Sequence, residues 1–124
     1  MSFAPVSFKQ GDSIAAYRIV RHTSTPHTVA LSTATTDIIV GVTADNANSS
    51  NQRVPVAVAG IAKVYMNDTA AAGALVMTDA SGRGIPFVES TAGVYTLGVL
   101  LETVSATGAI ADVLVQPRRI NDVP

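Results

Sequence analysis

Apolar and polar positions along this chain alternate in short runs, and none of the runs keeps helical spacing over any length. In Val54-Pro55-Val56-Ala57-Val58-Ala59 the valines alternate with smaller residues at period two. Similar runs predict strands over 16–21, 27–31, 37–43, 54–59, 61–66, 74–78, 85–89, 95–103 and 110–117. Clusters of Gly, Asn, Asp and Ser punctuate them. The stretch 53–82 is the densest, with strand runs packed between glycine-containing turns. Many short strands at even spacing predict an all-β fold, a small antiparallel β-barrel or a sandwich.

The punctuation predicts local geometry. Asp79-Ala80-Ser81-Gly82 is the clearest hairpin loop: Asp79 starts the turn and Gly82 takes the left-handed position. Ala70-Ala71-Ala72-Gly73 fits one helical turn, and residues 44–52, all small or polar, form the most mobile loop. Pro55, without an N–H, favours an edge or a strand start. Gly41-Val42 and Gly98-Val99 repeat one pattern, a Gly-Val step inside an apolar strand. Such a glycine marks a bulge, a bend or a close backbone approach.

The chain divides into an extended N-terminal arm over 1–13, one β-domain over 14–117 and a C-terminal tail over 118–124. Pro5 and the Gly11-Asp12 turn keep the arm from being helical. It nevertheless carries Phe3 and Phe8, two of only three Phe in the chain, which are expected to dock on a neighbour or on the sheet. In the tail, Arg118-Arg119 is either solvated or set against an acidic partner surface.

Composition narrows what such a domain can do. At 124 residues, 48% hydrophobic but only 5% aromatic, the chain predicts a thin core of small β-branched side chains. Charged residues are 14%, against roughly 25% in an average soluble domain, so the surface is expected to be both covered by the abundant Ser, Thr and Asn and partly buried against partners. Net charge is −1 with no basic stripe, which argues against a nucleic-acid partner. The absence of Cys excludes disulfides and thiolate zinc sites. No signal-peptide pattern opens the sequence, and no apolar run approaches the roughly 18 residues of a membrane helix. The expectation is a protein made in the cytoplasm with no membrane partner.

Candidate chemistry is sparse. His22 and His27 flank a Ser/Thr/Pro turn, and with Asp12 or Asp37 they match no metal-ligand spacing. No nucleophile elbow accompanies the many Ser and Thr residues. Gly82-Arg83-Gly84 is too short for a phosphate loop. Asp68, Asp79 and Asp112 form no acidic cluster in sequence, and Asp112 is expected to face solvent or pair with a Lys or Arg. The residues therefore predict no enzyme, no catalytic or metal-binding residue and no cofactor.

The order of the motifs carries a family signal. Ile39-Val40-Gly41-Val42 is followed by the run from Val54 to Val64, by Ala72-Gly73-Ala74-Leu75-Val76-Met77-Thr78-Asp79-Ala80-Ser81-Gly82-Arg83, by Leu97-Gly98-Val99-Leu100-Leu101-Glu102-Thr103, and by a closing Val113-Leu114-Val115-Gln116-Pro117. In that arrangement the chain resembles the capsid cement, or head decoration, proteins of tailed bacteriophages over nearly its whole length. It departs from them at Ala74, where the family usually carries an acid. The resemblance implies a small β-barrel or β-tulip-like sandwich. It also implies homotrimers on the outer capsid surface of the virion, clamping adjacent subunits of the major capsid protein against internal DNA pressure. Phe3, Val6, Phe8, Arg118 and Arg119 are then the candidate capsid or subunit contacts.

Two other functions compete. A tail or fibre-associated adhesion module would need an exposed aromatic or acidic pocket. A small enzymatic or sugar-acid-binding β-domain would need clustered His, Glu or Lys.

Overall fold

The computed structural model describes residues 6–10, 14, 16–24, 28–34, 37–44, 53–87 and 94–120. Among them are ten strands and no helix. In chain order they are β1 (Val6–Gln10), β2 (Ile19–His22), β3 (Thr28–Leu31), β4 (Ile39–Thr43), β5 (Arg53–Ala57), β6 (Gly60–Tyr65), β7 (Leu75–Thr78), β8 (Gly84–Pro86), β9 (Val94–Leu100) and β10 (Ile110–Ile120). The predicted all-β class is the observed one, and barrel and sheet occur side by side.

The first five strands hydrogen-bond in a ring, β1-β3-β2-β4-β5, with β5 returning to β1. The ring is closed by four rungs between β1 and β5, from Val6↔Val56 to Lys9↔Arg53. On its other side β1 runs parallel to β3, with Lys9↔Thr28 and Gln10↔Val29 as partners. The barrel is therefore not wholly antiparallel. The other five strands form an open antiparallel sheet in the order β6-β10-β9-β7-β8. Gly60, at a φ of 83°, carries the chain from β5 into β6 and so from barrel to sheet.

Period-two alternation explains how the barrel wall is used. Val20 of β2, Val29 of β3 and Val56 of β5 join Ile14 in one buried cluster. Their chain neighbours Ile19 and Ala57 point the other way, into a second cluster with Ile39, Val42, Val64, Val76, Leu100, Val113 and Val115. Successive strand residues face opposite sides, so a strand buried on both faces separates two cores. The larger core belongs to barrel and sheet together. It is rich in Val, as the composition predicted.

The hairpin between β7 and β8 locks the two parts. Asp79 Oδ1 accepts the Ser81 and Arg83 N–H groups at 2.8 and 2.9 Å. Asp79 Oδ2 accepts from Arg83 Nε and Asn67 Nδ2, each at 3.0 Å. Gly82 takes the predicted left-handed conformation, at a φ of 72°. Its carbonyl accepts the Ile19 N–H at 2.7 Å, tying the hairpin loop to β2.

The repeated Gly-Val step has one geometry at both places. A Cβ on Gly41 would run into the Ala57 carbonyl oxygen, and a Cβ on Gly98 into that of Leu114. Each struck carbonyl belongs to the residue opposite the following Val: Val42↔Ala57 and Val99↔Leu114. Each glycine also lies near a register shift, between Val20 and Arg21 for β4 and between Val115 and Arg118 for β10. The glycines thus serve close backbone approach beside a bulge.

Several expectations are corrected. Residues 6–10 of the supposed arm are β1, a strand of the barrel, because their backbone finds partners on both β5 and β3. Arg118, Arg119 and Ile120 are not tail but the end of β10, paired with Thr96, Tyr95 and Val94. Residues 70–73 make no helical turn: Ala74 donates to the Ala71 carbonyl at 3.1 Å while Gly73 sits at a φ of 92°. Pro55 is not on an edge strand, since β5 lies between β4 and β1. It lies one step past the last β4 rung, Thr43↔Val56, where its carbonyl accepts the Ala44 N–H at 2.9 Å and the missing N–H falls at the end of the ladder. The loop predicted over 44–52 lies, apart from Ala44, outside the described residues.

Candidate interaction surface

The sheet's inner face is occupied by the shared core, so its outer face holds what remains available. In β6, Gly60 and Val64 are buried while Ile61 and Lys63 are exposed. In β10, Ala111, Val113 and Val115 are buried, Ile110 is exposed, and Asp112 and Leu114 are half-buried. Residues directly opposite on neighbouring strands share a face. The register therefore builds three rows on the outside. One is Ile61, Leu114, Val99 and Leu75, crossing four strands. The next is Lys63 opposite Asp112, extended by Leu101, whose N–H donates to the Asp112 carbonyl at 2.9 Å. The third is Tyr65 opposite Ile110.

This face is unusually apolar for a surface. Ile61, Leu101 and Ile110 are 46%, 44% and 45% exposed, and among the described residues only Ile38, on the barrel, joins them as an exposed large aliphatic. A contiguous exposed apolar patch marks an interaction site more often than a scatter of single residues does.

Polar groups punctuate the patch. Lys63 Nζ donates to Asp112 Oδ1 at 3.1 Å. That hydrogen bond, and then the Asp112 charge itself, hold the Lys63 pKa above its ordinary value of 10.5, with Glu102 adding to the effect. At the barrel end, Arg18 lies over the Tyr65 ring, 4.3 Å from its centroid. The Tyr65 N–H donates to the Tyr17 carbonyl at 2.9 Å. Tyr17 itself holds a φ of 64°, the one positive φ outside glycine among the described residues. A non-glycine residue there is held by its surroundings. Tyr and Arg beside desolvated aliphatics are the residue types that dominate binding energy at protein interfaces.

The sequence-predicted residues scatter by comparison. Phe3, His27 and Asp12 lie outside the described residues. Val6 and Phe8 belong to β1, opposite Val56 and Val54. Arg118 is exposed on β10, and Arg119 stands opposite Tyr95. His22 is exposed on β2. Asp37 accepts the Thr33 and Ala34 N–H groups, each at 3.0 Å, and so stabilises a turn. Asp68 accepts the next N–H, that of Thr69, at 2.8 Å. The stretch Gly82-Arg83-Gly84 is hairpin, as expected, and Asp112 pairs with a lysine, as expected. Among the described residues no group of three or more His, Cys, Asp or Glu side chains comes together to hold a metal ion.

The alternation in Ile61-Ala62-Lys63-Val64-Tyr65 and in Ile110-Ala111-Asp112-Val113-Leu114 was visible in the sequence, but not the register that sets one against the other. Tyr17 and Arg18 carried no signal at all.

No protein-family profile matches the chain, and no curated protein matches it in sequence. Its architecture does have a counterpart among solved structures, the head fiber gp8.5 N base of bacteriophage phi29. The likeness is one of fold. The two superpose with a TM-score of 0.68 over 98% of this chain and 100% of that one, at 15% sequence identity.

Proposed function

We propose that this chain is a structural protein of a phage virion that docks on the outside of the head. In the finer reading it is a decoration protein that clamps adjacent copies of the major capsid protein and stabilises the shell. The observation that carries it is the gathering of Ile61, Leu101, Ile110 and the Leu114–Val99–Leu75 row on one open face. That face belongs to a fold shared with the base of a phage head fibre. The ordered motifs that resemble cement proteins support the same reading, and they bring homotrimeric assembly with them. Three linked docking faces would hold with an avidity that one lacks. No catalytic step is assigned to the chain.

The test is direct. Purified protein added to heads lacking it should bind saturably and raise their resistance to heat and to low salt. Heads that take up no protein would end the proposal. A second reading, the base of a head fibre, is favoured by the named role of the structural neighbour. It predicts saturable binding without any gain in heat resistance.

A further inference from the structure

The geometry points to Arg18 as the residue that selects the partner of the open face, by taking a carboxylate from the surface that docks there. The inference rests on the docking reading and adds to it the chemistry of the partner. Arg18 is held from both sides. Its N–H donates to Thr43 Oγ1 at 3.0 Å, and its carbonyl accepts the Thr43 N–H at 2.8 Å. Just before it, the Tyr17 N–H donates to the Thr43 carbonyl at 2.8 Å and the Tyr17 carbonyl accepts the Tyr65 N–H at 2.9 Å. These bonds hold Tyr17 at a φ of 64°, a conformation that residues other than glycine rarely adopt. The Arg18 guanidinium lies over the Tyr65 ring, 4.3 Å from its centroid, at the end of the row that Tyr65 shares with Ile110. Arg18 therefore stands in place at the margin of the apolar face before any partner arrives.

Its charge is the one this face leaves unanswered. Arg21 lies 3.9 Å from Asp37, Lys63 3.1 Å from Asp112 and Arg83 3.0 Å from Asp79. Among the described residues no carboxylate stands within ion-pair reach of Arg18. Its side chain makes one hydrogen bond among them, from Nη1 to the Ala16 carbonyl at 3.4 Å. A guanidinium carries five donors in a planar fork, so most of them are left for a partner. Arg18 is already half-buried, and a surface seated on Ile61, Leu101 and Ile110 would cover it further. A covered charge is strongly unfavourable unless it is paired and hydrogen-bonded. A carboxylate answers both needs, because it accepts two parallel bonds from the fork. The Lys63–Asp112 pair is neutral as a unit and asks for no charge from the partner. Glu102 has no ion pair either, but it is exposed, and water continues to solvate such a group at the rim. The partner is then an apolar protein surface with one Asp or Glu at its margin, carried in the docking reading by a subunit of the shell.

Binding to heads that lack the protein tests this, with the wild-type chain beside Arg18 variants. Arg18→Gln removes the charge and should weaken binding at least about thirtyfold. Arg18→Glu should weaken it more, because it sets one carboxylate against another. Arg18→Lys, a cation without the fork, should fall between wild type and Arg18→Gln. Exposed Asp and Glu residues of the shell protein, changed to Lys one at a time, should include one that weakens wild-type binding and restores that of Arg18→Glu. The bonds between Arg18 and Thr43 run through the Arg18 backbone, so each variant should fold, which far-UV circular dichroism and melting check. Should one fold poorly, the shell series with the wild-type chain decides. Arg18→Gln that binds like wild type overturns the inference and leaves the docking reading standing. So does a shell series in which no carboxylate matters to binding. Heads that take up no wild-type protein end the docking reading, and the inference with it.

Discussion

The barrel and the open sheet solve the same problem in opposite ways. Both are built from five strands, and both contain one Gly-Val step that lets a neighbouring carbonyl come close. The barrel closes on itself, so its strands have no free edge, and both wall faces of β2 and β5 are buried. The sheet stays open and spends one face on the shared core, leaving the other apolar and available. Closure makes the barrel a mounting, and openness makes the sheet a surface.

The sharpest way to break this comparison is to fill the two glycines. Gly41→Ala and Gly98→Ala each force a methyl into a backbone carbonyl, which no rotamer change can relieve. Each should destabilise the chain by about 3 kcal/mol or more, measured by urea unfolding. Both glycines lie beside a register shift, but the closed ring gives β4 no free side on which to splay, whereas Gly98 lies in an open sheet. Gly41→Ala should therefore be the worse of the two. The reverse order would mean that closure adds no rigidity.

The next effect asks whether barrel and sheet are separate at all. Leu100 is 1% exposed and belongs to the core cluster that includes Ile19, Ile39 and Val42 of the barrel. Leu100→Ala should cost about 2–5 kcal/mol. It should also move one common transition, with tyrosine fluorescence and far-UV circular dichroism still coincident. Two separated transitions would show that the shared core does not couple the regions.

Much of this was legible in the sequence, and the limits have a physical cause. Local signals read well: the Asp79–Gly82 hairpin depends on residues in direct succession, and so do the turns after β6 and before β10. The Gly41 and Gly98 echo was visible because the need for a missing Cβ is written at the glycine itself. What failed were the pairings. β1 read as an arm because its partners are Val54 and Val56, far along the chain, and because two of its rungs are parallel. The outer face was unreadable for the same reason, since Lys63 and Asp112 meet only through a ladder closed over long range.

A smaller effect probes the hinge of the comparison, the hairpin that ties sheet to barrel. The Asp79 carboxylate is 12% exposed and accepts bonds from Ser81, Arg83 and Asn67. Asp79→Ala should cost about 2 kcal/mol, the scale of hydrogen bonds to a charged group. It should also speed exchange of the Ile19 amide, which the hairpin holds through the Gly82 carbonyl at 2.7 Å. Unchanged exchange at Ile19 would place the tie elsewhere.

The smallest effect belongs to the open face. Lys63 is held above its ordinary pKa of 10.5, first by its hydrogen bond to Asp112 and then by that carboxylate's charge. A cation whose folded pKa is raised contributes stability that is fully present below the unfolded value and is lost as pH rises through the folded one. The pair's contribution should therefore be flat through neutral pH and disappear only above about 10.5, the ordinary lysine value. Solvent reaches both groups, so the loss should be slight beside those of the core variants. Nuclear magnetic resonance titration of the Lys63 side chain, on protein dilute enough to be monomeric, should show the raised value. Asp112→Asn should bring it down. A Lys63 titration that ignores this substitution would show that the ion pair does not hold its geometry in water. The open face would then present two independent charges where the barrel, by contrast, has its polar groups fixed in turns.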